Sequence, residues 1–187
     1  MKLHICCGDV YLKGYSNWDI KGEIIKPGES NPNETTLDRY YIRDFKETLG
    51  NKGSFIVDYT MNILGPWLLE DNSVDEIVMI SAIEHFTKPQ AKFITSEVYR
   101  VLKPGGKFLV DFPDLKRDIL NYYDSDPDFM AKLIYCNQKD DLSQHKWGYT
   151  PESFMDFLGE DYWDFHQKDV VKHDYPMIGF ECTKRDK

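Results

Sequence analysis

Between Asp75 and Asp114, apolar and polar residues follow one another in the order expected for a strand, a helix and a second strand. Residues 76–81 form a short, mostly apolar run, which is typical of a strand buried on both faces. Apolar residues then recur at helical spacing and form one face, made of Ala91, Ile94, Val98, Val101 and Leu102. This helix is expected to begin after Thr87 and to end at residues 103–106, where a proline and two glycines interrupt it. With a second strand at residues 107–112, the segment predicts a right-handed parallel unit.

Shorter apolar runs on both sides of this unit predict the rest of the sheet. Strands are expected at residues 2–6, 15–20, 54–57, 164–173 and 177–184. The stretch that joins the first two is too short for a full crossover helix, so a single helical turn is expected at residues 10–12. The last two strands predict a closing hairpin at the edge of a mostly parallel sheet.

Two regions are less regular. Residues 21–53 are rich in turn signals and are interpreted as an insertion or a lid near a ligand site. Residues 115–150 are expected to form helices and a loop on the substrate side of the same domain. Helices are predicted at residues 36–49, 115–123, 129–136 and 150–159.

The composition indicates a single globular domain that spans residues 1–187, with 41% hydrophobic residues and a net charge of −9. The acidic balance argues against a nucleic acid or an anionic membrane as partner. No apolar run approaches the roughly 20 residues that cross a bilayer. Residues 1–2 lead directly into a strand, which predicts no signal peptide. The four cysteines contain no C-x-x-C pair, so neither a disulfide framework nor a zinc site is expected, and a reducing, cytoplasmic location is predicted.

Chemistry-bearing residues follow several of the predicted strands. Ligands of such sheets bind beyond the carboxyl ends of the strands. Gly8 follows the first strand, where a ligand can approach the backbone closely, although an ordinary turn is the alternative. Asp19 ends the second strand, where an acid can hold ribose hydroxyls, the alternative being a solvated turn residue. The fourth and fifth strands end at residues 81–85 and 111–114.

These motifs resemble the class I S-adenosylmethionine-dependent methyltransferases. The resemblance is carried by Ile83–Phe86 (IEHF), Glu97–Gly106 (EVYRVLKPGG) and Phe112–Leu115 (FPDL). Leu3–Gly8 and Gly14–Asp19 are similar to the first cofactor motif and the ribose acid of that family. No single motif decides the matter, but their order and spacing together favour this family.

The resemblance implies an α/β fold: a Rossmann-like, doubly wound, mostly parallel seven-strand sheet with a closing antiparallel hairpin, in a three-layer sandwich. It also implies S-adenosylmethionine as cofactor. In this reading Gly8 supplies the close-approach turn, Asp19 binds the ribose, Asp58 meets the adenine, and residues 81–83 form a ledge for the methionyl end. The expected cofactor-binding residues are Cys6, Cys7, Gly8, Asp19, Asp58, Tyr59, Ser81, Ala82 and Ile83.

Two histidines are candidates for a catalytic base that deprotonates the methyl acceptor, namely His85 and His145. A structural role is the alternative for each. Asp111 and Asp114 are placed to touch substrate or bind a metal, or else to cap the next helix, and no metal-ligand set is predicted. Six aromatic residues are candidates either for a sugar site or for the core: Tyr122, Tyr123, Trp147, Tyr149, Trp163 and Phe165.

The sequence therefore predicts a methyltransferase that acts on an oxygen or nitrogen of a small molecule, with a sugar or glycan precursor among the candidates. The alternative is a non-catalytic module of the same fold that binds S-adenosylhomocysteine or a protein partner. Cys6 favours this alternative because the family usually carries glycine at that position. A nicotinamide-dependent oxidoreductase is disfavoured, since the G-x-G-x-x-G phosphate loop is absent. The oligomeric state is left open.

Overall fold

The computed structural model describes residues 1–26, 28, 34–41 and 56–186. Its centre is a seven-stranded sheet, and the predicted sheet is confirmed. In chain order the strands are β1 (Lys2–Ile5), β2 (Ser16–Asp19), β3 (Tyr59–Thr60), β4 (Val74–Ile80), β5 (Leu102–Pro113), β6 (Trp163–Gln167) and β7 (Met177–Lys184). Across the sheet they lie in the order β3-β2-β1-β4-β5-β7-β6. The first five are parallel, whereas β7 runs antiparallel to both β5 and β6 and closes the sheet as the predicted hairpin.

Four α-helices lie in the described part of the chain: α1 (Lys88–Val101), α2 (Leu115–Tyr122), α3 (Pro127–Tyr135) and α4 (Pro151–Leu158). The expected start of α1 is confirmed, because the backbone N–H of Thr87 donates to Gln90 Oε1 at 3.0 Å. Its end differs from the prediction, since Leu102 already pairs with Val74 and begins β5. Gly105 keeps the left-handed backbone expected of a turn, with φ of +74°, inside this strand.

One face of the sheet carries the main hydrophobic core. Alternate residues of the central strands point to this face, and α1 and α4 cover it. Its fully buried members include Ile77, Met79, Ile94, Val98, Phe108, Val110, Phe112 and Phe154. Burying a side chain of this size contributes about 1.5–3 kcal/mol each, so this layer supplies much of the stability.

The opposite face has a different cover. Val78, Ile80 and Leu109 belong to a second hydrophobic cluster on this face. Among the described residues, this cluster contains none from an α-helix. Loops and short strands cover this face instead. The helical turn expected at residues 10–12 is wrong: Tyr11–Leu12 is a two-residue strand that pairs with Glu34–Thr35. The connection from β1 to β2 is too short to carry a helix across the sheet.

Several other boundaries differ from the predictions. Ile56–Val57, expected in the main sheet, pairs with Glu23–Ile24 in a separate two-stranded sheet, and β3 takes the edge position. In the helix expected at residues 36–49, Leu37–Arg39 forms one 3-10 turn, and residues 42–49 lie outside the described ranges. Most of the predicted insertion lies there as well. The strand expected to reach residue 173 ends at Gln167.

Lys184, the last residue of β7, closes the end of α1. Its ammonium group donates to the backbone carbonyls of Tyr99 and Leu102 and to Asn72 Oδ1, each at 2.7 Å. The carbonyls in the last turn of a helix have no partner inside the helix, so a buried cation is well placed there. None of the helices in the described ranges, α1 included, has the length and apolar character needed to span a bilayer.

Candidate active site

The loops after β1 and β2 meet at the carboxyl edge of the sheet. The backbone N–H of Gly8 donates to Asp19 Oδ2 at 2.9 Å, and that of Ile20 donates to Oδ1 at 2.8 Å. Gly8 has a φ of +56°, and no atom beyond its chain neighbours lies within 4 Å of the place that a side chain would take. The space in front of this turn is therefore open. The structure brings together the glycine and the acid that the sequence singled out.

Cys6 adopts the left-handed backbone conformation, with φ of +53°. A residue with a Cβ pays about 1–2 kcal/mol there, whereas glycine does not. This position therefore favours glycine, and the cysteine is accommodated at some cost. Burial, followed by the nearby Asp19 carboxylate, raises the pKa of Cys6 and also that of Cys7. Both thiols are protonated near neutral pH, in acidic surroundings that suit a cationic ligand better than an anionic one.

Both carboxylate oxygens of Asp58 accept hydrogen bonds from other residues of the protein. Its Oδ1 accepts from the Tyr11 hydroxyl at 2.6 Å, and its Oδ2 accepts from the backbone N–H of Asn17 at 2.7 Å. These bonds anchor the loop before β3 to the β2 strand. Tyr59 is 47% exposed, and its ring lies 5.4 Å from that of Trp18. Of these two predicted cofactor-binding residues, Tyr59 offers the accessible surface, and the adenine role of Asp58 stays a prediction.

Residues 81–83, the predicted ledge after β4, are hydrogen-bonded to β5 through Ser81. Ser81 is left-handed, with φ of +46°, and its backbone N–H donates to Asp111 Oδ1 at 2.8 Å. Ala82 and Ile83, the other two residues of the ledge, are buried. The hydroxyl of Tyr41 lies 3.1 Å from Ser81 Oγ, so the described end of the insertion reaches this edge.

The two acids at the end of β5, Asp111 within the strand and Asp114 just after it, make different contacts. Asp114 caps α2 by accepting from the backbone N–H of Arg117 at 3.1 Å, which agrees with the capping alternative. Asp111 lies opposite His173, with 2.8 Å between Oδ2 and Nε2. Their side chains are only 1% and 5% exposed. Sequence reasoning missed His173, because it stands in the irregular segment after β6 and no local pattern marks it.

The two predicted bases lie side by side. The rings of His85 and His145 are edge to face, 4.8 Å apart, and Glu84 Oε1 lies 3.9 Å from His145 Nε2. Burial and the neighbouring His145 lower the pKa of His85 to about 4, and burial also lowers that of His145. Burial raises the pKa of Glu84 to about 8. All three groups favour their neutral forms over a charged one when the site holds no compensating charge.

A small cavity adjoins this cluster and is lined by Glu84, Asp118, His145 and Tyr149, among others. Four buried oxygens on it have no hydrogen-bond partner in the described part of the protein: Glu84 Oε2, both carboxylate oxygens of Asp118 and the Tyr149 hydroxyl. Burial raises the pKa of Asp118 to about 7. Polar atoms this deeply buried normally have partners.

The aromatic residues proposed for a sugar site do not gather into one. Tyr149 and Trp163 are buried in the main core, and Phe165 packs against it. Tyr123 is exposed, and Tyr122 packs on Phe129 between α2 and α3. Trp147 is 43% exposed beneath the ammonium group of Lys88. The core alternative therefore holds for Tyr149, Trp163 and Phe165.

Parts of the sequence are similar to known methyltransferases. A family model described as a methyltransferase domain matches residues 35–110. The chain is 40% identical over 78 residues to the sterol 24-C-methyltransferase ERG6A of Gibberella zeae, which is 42% of this chain and 19% of that protein. It is 47% identical over 58 residues to a Mycolicibacterium smegmatis protein named a probable S-adenosylmethionine-dependent methyltransferase, which is 31% of this chain and 22% of that one. The chain thus spans about a fifth of the length of these curated relatives.

Solved structures share the fold. A SAM-dependent methyltransferase from Methanosarcina mazei matches 100% of this chain and 92% of its own, with a TM-score of 0.56 and 18% identity. Human N-acetylserotonin methyltransferase, solved in complex with SAM, matches 91% of this chain and 40% of its own, with a TM-score of 0.51 and 15% identity. Together with the strand order, these similarities show that the chain shares the fold of SAM-dependent methyltransferases and that residues 35–110 are similar to a methyltransferase domain.

Proposed function

We propose that this chain binds S-adenosylmethionine across the carboxyl ends of β1, β2 and β4, and that it transfers the methyl group to an oxygen or nitrogen of a small molecule. The observation that carries the proposal is the contact between Gly8 and Asp19, 2.9 Å from N–H to carboxylate. It sets an open backbone turn beside an acid at the sheet edge where α/β proteins bind nucleosides.

The described residues fit this cofactor. Asp19 is half-buried at the edge and can accept from both ribose hydroxyls. Each Asp19 oxygen has one short bond to a backbone N–H, of 2.9 and 2.8 Å, and keeps a lone pair for a ribose hydroxyl. Tyr59 offers an exposed ring next to the adenine position, and residues 81–83 form the ledge for the methionyl end. Asp58 is the departure: its Oδ1 accepts from the Tyr11 hydroxyl, and its Oδ2 accepts from both the N–H and the side-chain amide of Asn17. We therefore place Tyr59 rather than Asp58 against the adenine.

The cofactor supplies a reactive methyl on a sulfonium, and the protein supplies position and electrostatics. Burial and then the nearby Asp19 carboxylate raise the pKa of Cys6, and Asp19 makes this edge of the sheet acidic. An acidic edge attracts a cationic ligand. Aligning the acceptor with the methyl group can contribute roughly 7–11 kcal/mol to the reaction.

Three histidines are candidates for the base that deprotonates the acceptor. His85 and His145 were predicted, but each ring is desolvated and has a lowered pKa, which makes it a weak base. His173 is oriented by a buried carboxylate, Asp111, as a general base usually is. We therefore add His173 to the predicted pair and favour it.

Once an acceptor is known, His173→Ala is expected to lower kcat at least tenfold, since general-base catalysis contributes about 10²–10⁴-fold. The binding of S-adenosylhomocysteine should change less than threefold. Activity that survives in His173→Ala but falls in His85→Ala or His145→Ala would move the base to the predicted pair. The measurement is a steady-state pH–rate profile for each variant.

The proposed acceptor is a small molecule with a reactive oxygen or nitrogen, and no narrower class is assigned. The curated relative from Gibberella zeae is named for a sterol, and a sugar or glycan precursor stays a prediction for this chain. The cytoplasmic location likewise stays a prediction. The non-catalytic module remains the rival function, because Cys6 and the occupied Asp58 both depart from an optimal cofactor site.

Calorimetric titration with S-adenosylmethionine and S-adenosylhomocysteine tests the proposal. We expect saturable one-to-one binding of both ligands, and none of NAD⁺, because the sequence contains no G-x-G-x-x-G phosphate-binding motif. If neither S-adenosylmethionine nor S-adenosylhomocysteine gives heat at millimolar concentration, the proposed methyltransferase activity is refuted. Binding without methyl transfer to any member of a broad panel of small-molecule acceptors would favour the non-catalytic module.

A further inference from the structure

Glu84, His85 and His145 form a compact ligand set next to the ledge at residues 81–83. Each offers one ligand atom, and the three atoms lie within 4.8 Å of one another. Glu84 and His85 belong to the 3-10 turn after β4 (Ile83–His85), and His145 lies on the loop that leads to α4. The backbone carbonyl of Glu84 accepts from the N–H groups of Lys146 and Trp147, at 2.7 and 3.2 Å. The two segments are therefore locked together before any ligand arrives.

The backbone also orients both histidine rings. His85 Nδ1 lies 3.1 Å from the carbonyl oxygen of Gln144, and His145 Nδ1 lies 2.9 Å from that of Leu133. A carbonyl can only accept, so in each neutral ring Nδ1 carries the proton and Nε2 keeps its lone pair. A hydrogen bond from the remote ring nitrogen to a backbone carbonyl is the arrangement that metal-ligating histidines use.

Glu84 supplies an independent observation. Its side chain is buried, and Oε2 has no hydrogen-bond partner among the described residues. The distance of 3.9 Å from Oε1 to His145 Nε2 is too long for a hydrogen bond. A buried carboxylate oxygen without a partner is costly, and a cation that binds it removes that cost.

The neighbouring cavity adds two more polar groups. The carboxylate of Asp118 and the hydroxyl of Tyr149 line it together with Glu84 and His145, and they too have no partner in the described ranges. Neither belongs to the three-residue ligand set. They are placed instead to bond a water molecule that occupies an open coordination position.

We propose that Glu84, His85 and His145 bind one divalent transition-metal ion of the Zn²⁺ class, with an open position facing Asp118 and Tyr149. Two imidazoles and a carboxylate suit Zn²⁺, Co²⁺ or Fe²⁺, whereas Mg²⁺ and Ca²⁺ prefer oxygen ligands alone. Metal–ligand bonds of about 2.0–2.2 Å require the three atoms to close in by roughly 1 Å, which side-chain rotation can supply. The sequence predicted no metal-ligand set because only the fold brings His145 to the neighbouring residues Glu84 and His85. The histidines would then hold the ion, in agreement with His173 as the favoured base.

The test uses the full chain without a polyhistidine tag, stripped with a chelator, and needs neither cofactor nor acceptor. We expect Zn²⁺ to bind one to one with a micromolar or lower Kd, and Co²⁺ to give the absorption bands of a nitrogen- and oxygen-ligated ion. Mg²⁺ should not compete. Glu84→Gln and His145→Gln should each weaken Zn²⁺ binding at least tenfold, and His166→Gln, an exposed histidine on β6, should not.

Circular dichroism checks that each variant folds. If the Glu84 and His145 variants do not fold, the cobalt spectrum of the unaltered chain still decides the question. Absence of saturable Zn²⁺ binding up to about 100 μM, or binding that His145→Gln leaves intact, would overturn the site. Because the readout is the metal alone, its failure is separate from a failure of S-adenosylmethionine binding.

Discussion

Asp19→Ala is expected to raise the Kd of S-adenosylhomocysteine at least about 100-fold, since two charge-assisted hydrogen bonds are lost and each contributes roughly 1.5–3 kcal/mol. The substitution also removes the acceptor of the Gly8 N–H, so the turn after β1 loses its anchor. Both effects act on the same ligand position. Isothermal titration at fixed salt measures the change.

Two companion variants make this result specific. Asp19→Asn keeps one acceptor oxygen and should fall between the wild type and alanine. Asp156→Ala removes an exposed carboxylate from α4 and should leave the Kd within twofold. If Asp19→Ala binds within threefold of the wild type, Asp19 does not hold the ribose, even where the cofactor itself binds.

Gly179→Ala is expected to destabilise the fold by about 2–4 kcal/mol, the range for overpacking that the backbone must absorb. A Cβ at this position of β7 would lie 2.1 Å from the carbonyl oxygen of Lys168 and 3.0 Å from the backbone nitrogen of Val170. Both are main-chain atoms, so no side-chain rotation can relieve the clash. The segment after β6 would be pushed off the sheet, and the bond from Lys168 N–H to the Gly179 carbonyl, now 2.9 Å, would break.

Urea unfolding monitored by circular dichroism gives the change in free energy of unfolding. Thr183→Ala, in the same strand, is the matched control and should cost less than about 1 kcal/mol because it adds no atoms. A loss below 1 kcal/mol in Gly179→Ala would show that the close approach at Lys168 does not constrain this residue. The glycine would then be a replaceable strand residue.

The parallel unit from β4 to β5 was predictable because its signals are local. The capping pair Thr87 and Gln90, the helical spacing after it and the glycines at 105–106 all act within a few residues of one another. The meeting of Gly8 with Asp19 followed from a simple rule, since neighbouring parallel strands end at the same edge.

Other parts depend on contacts that no local pattern records. The bond between Asp111 and His173 spans 62 residues and exists because an irregular segment crosses the second face of the sheet. Asp58 was read as an adenine neighbour, yet Tyr11 and Asn17 reach it first, and their approach depends on the short β1–β2 connection. The edge strand β3 is two residues long, which is below what an apolar pattern can mark.

The ammonium group of Lys184 has a consequence for folding during synthesis. Its partners, Tyr99 and Leu102, leave the ribosome more than eighty residues before it does. Within the sheet, β6 bonds only to β7, although β6 is made first. The emerging chain can therefore form β1, β4, α1 and β5 early, but the end of α1 and one edge of the sheet wait for the last strand. A nascent chain stalled before Lys184 would keep these carbonyls facing water.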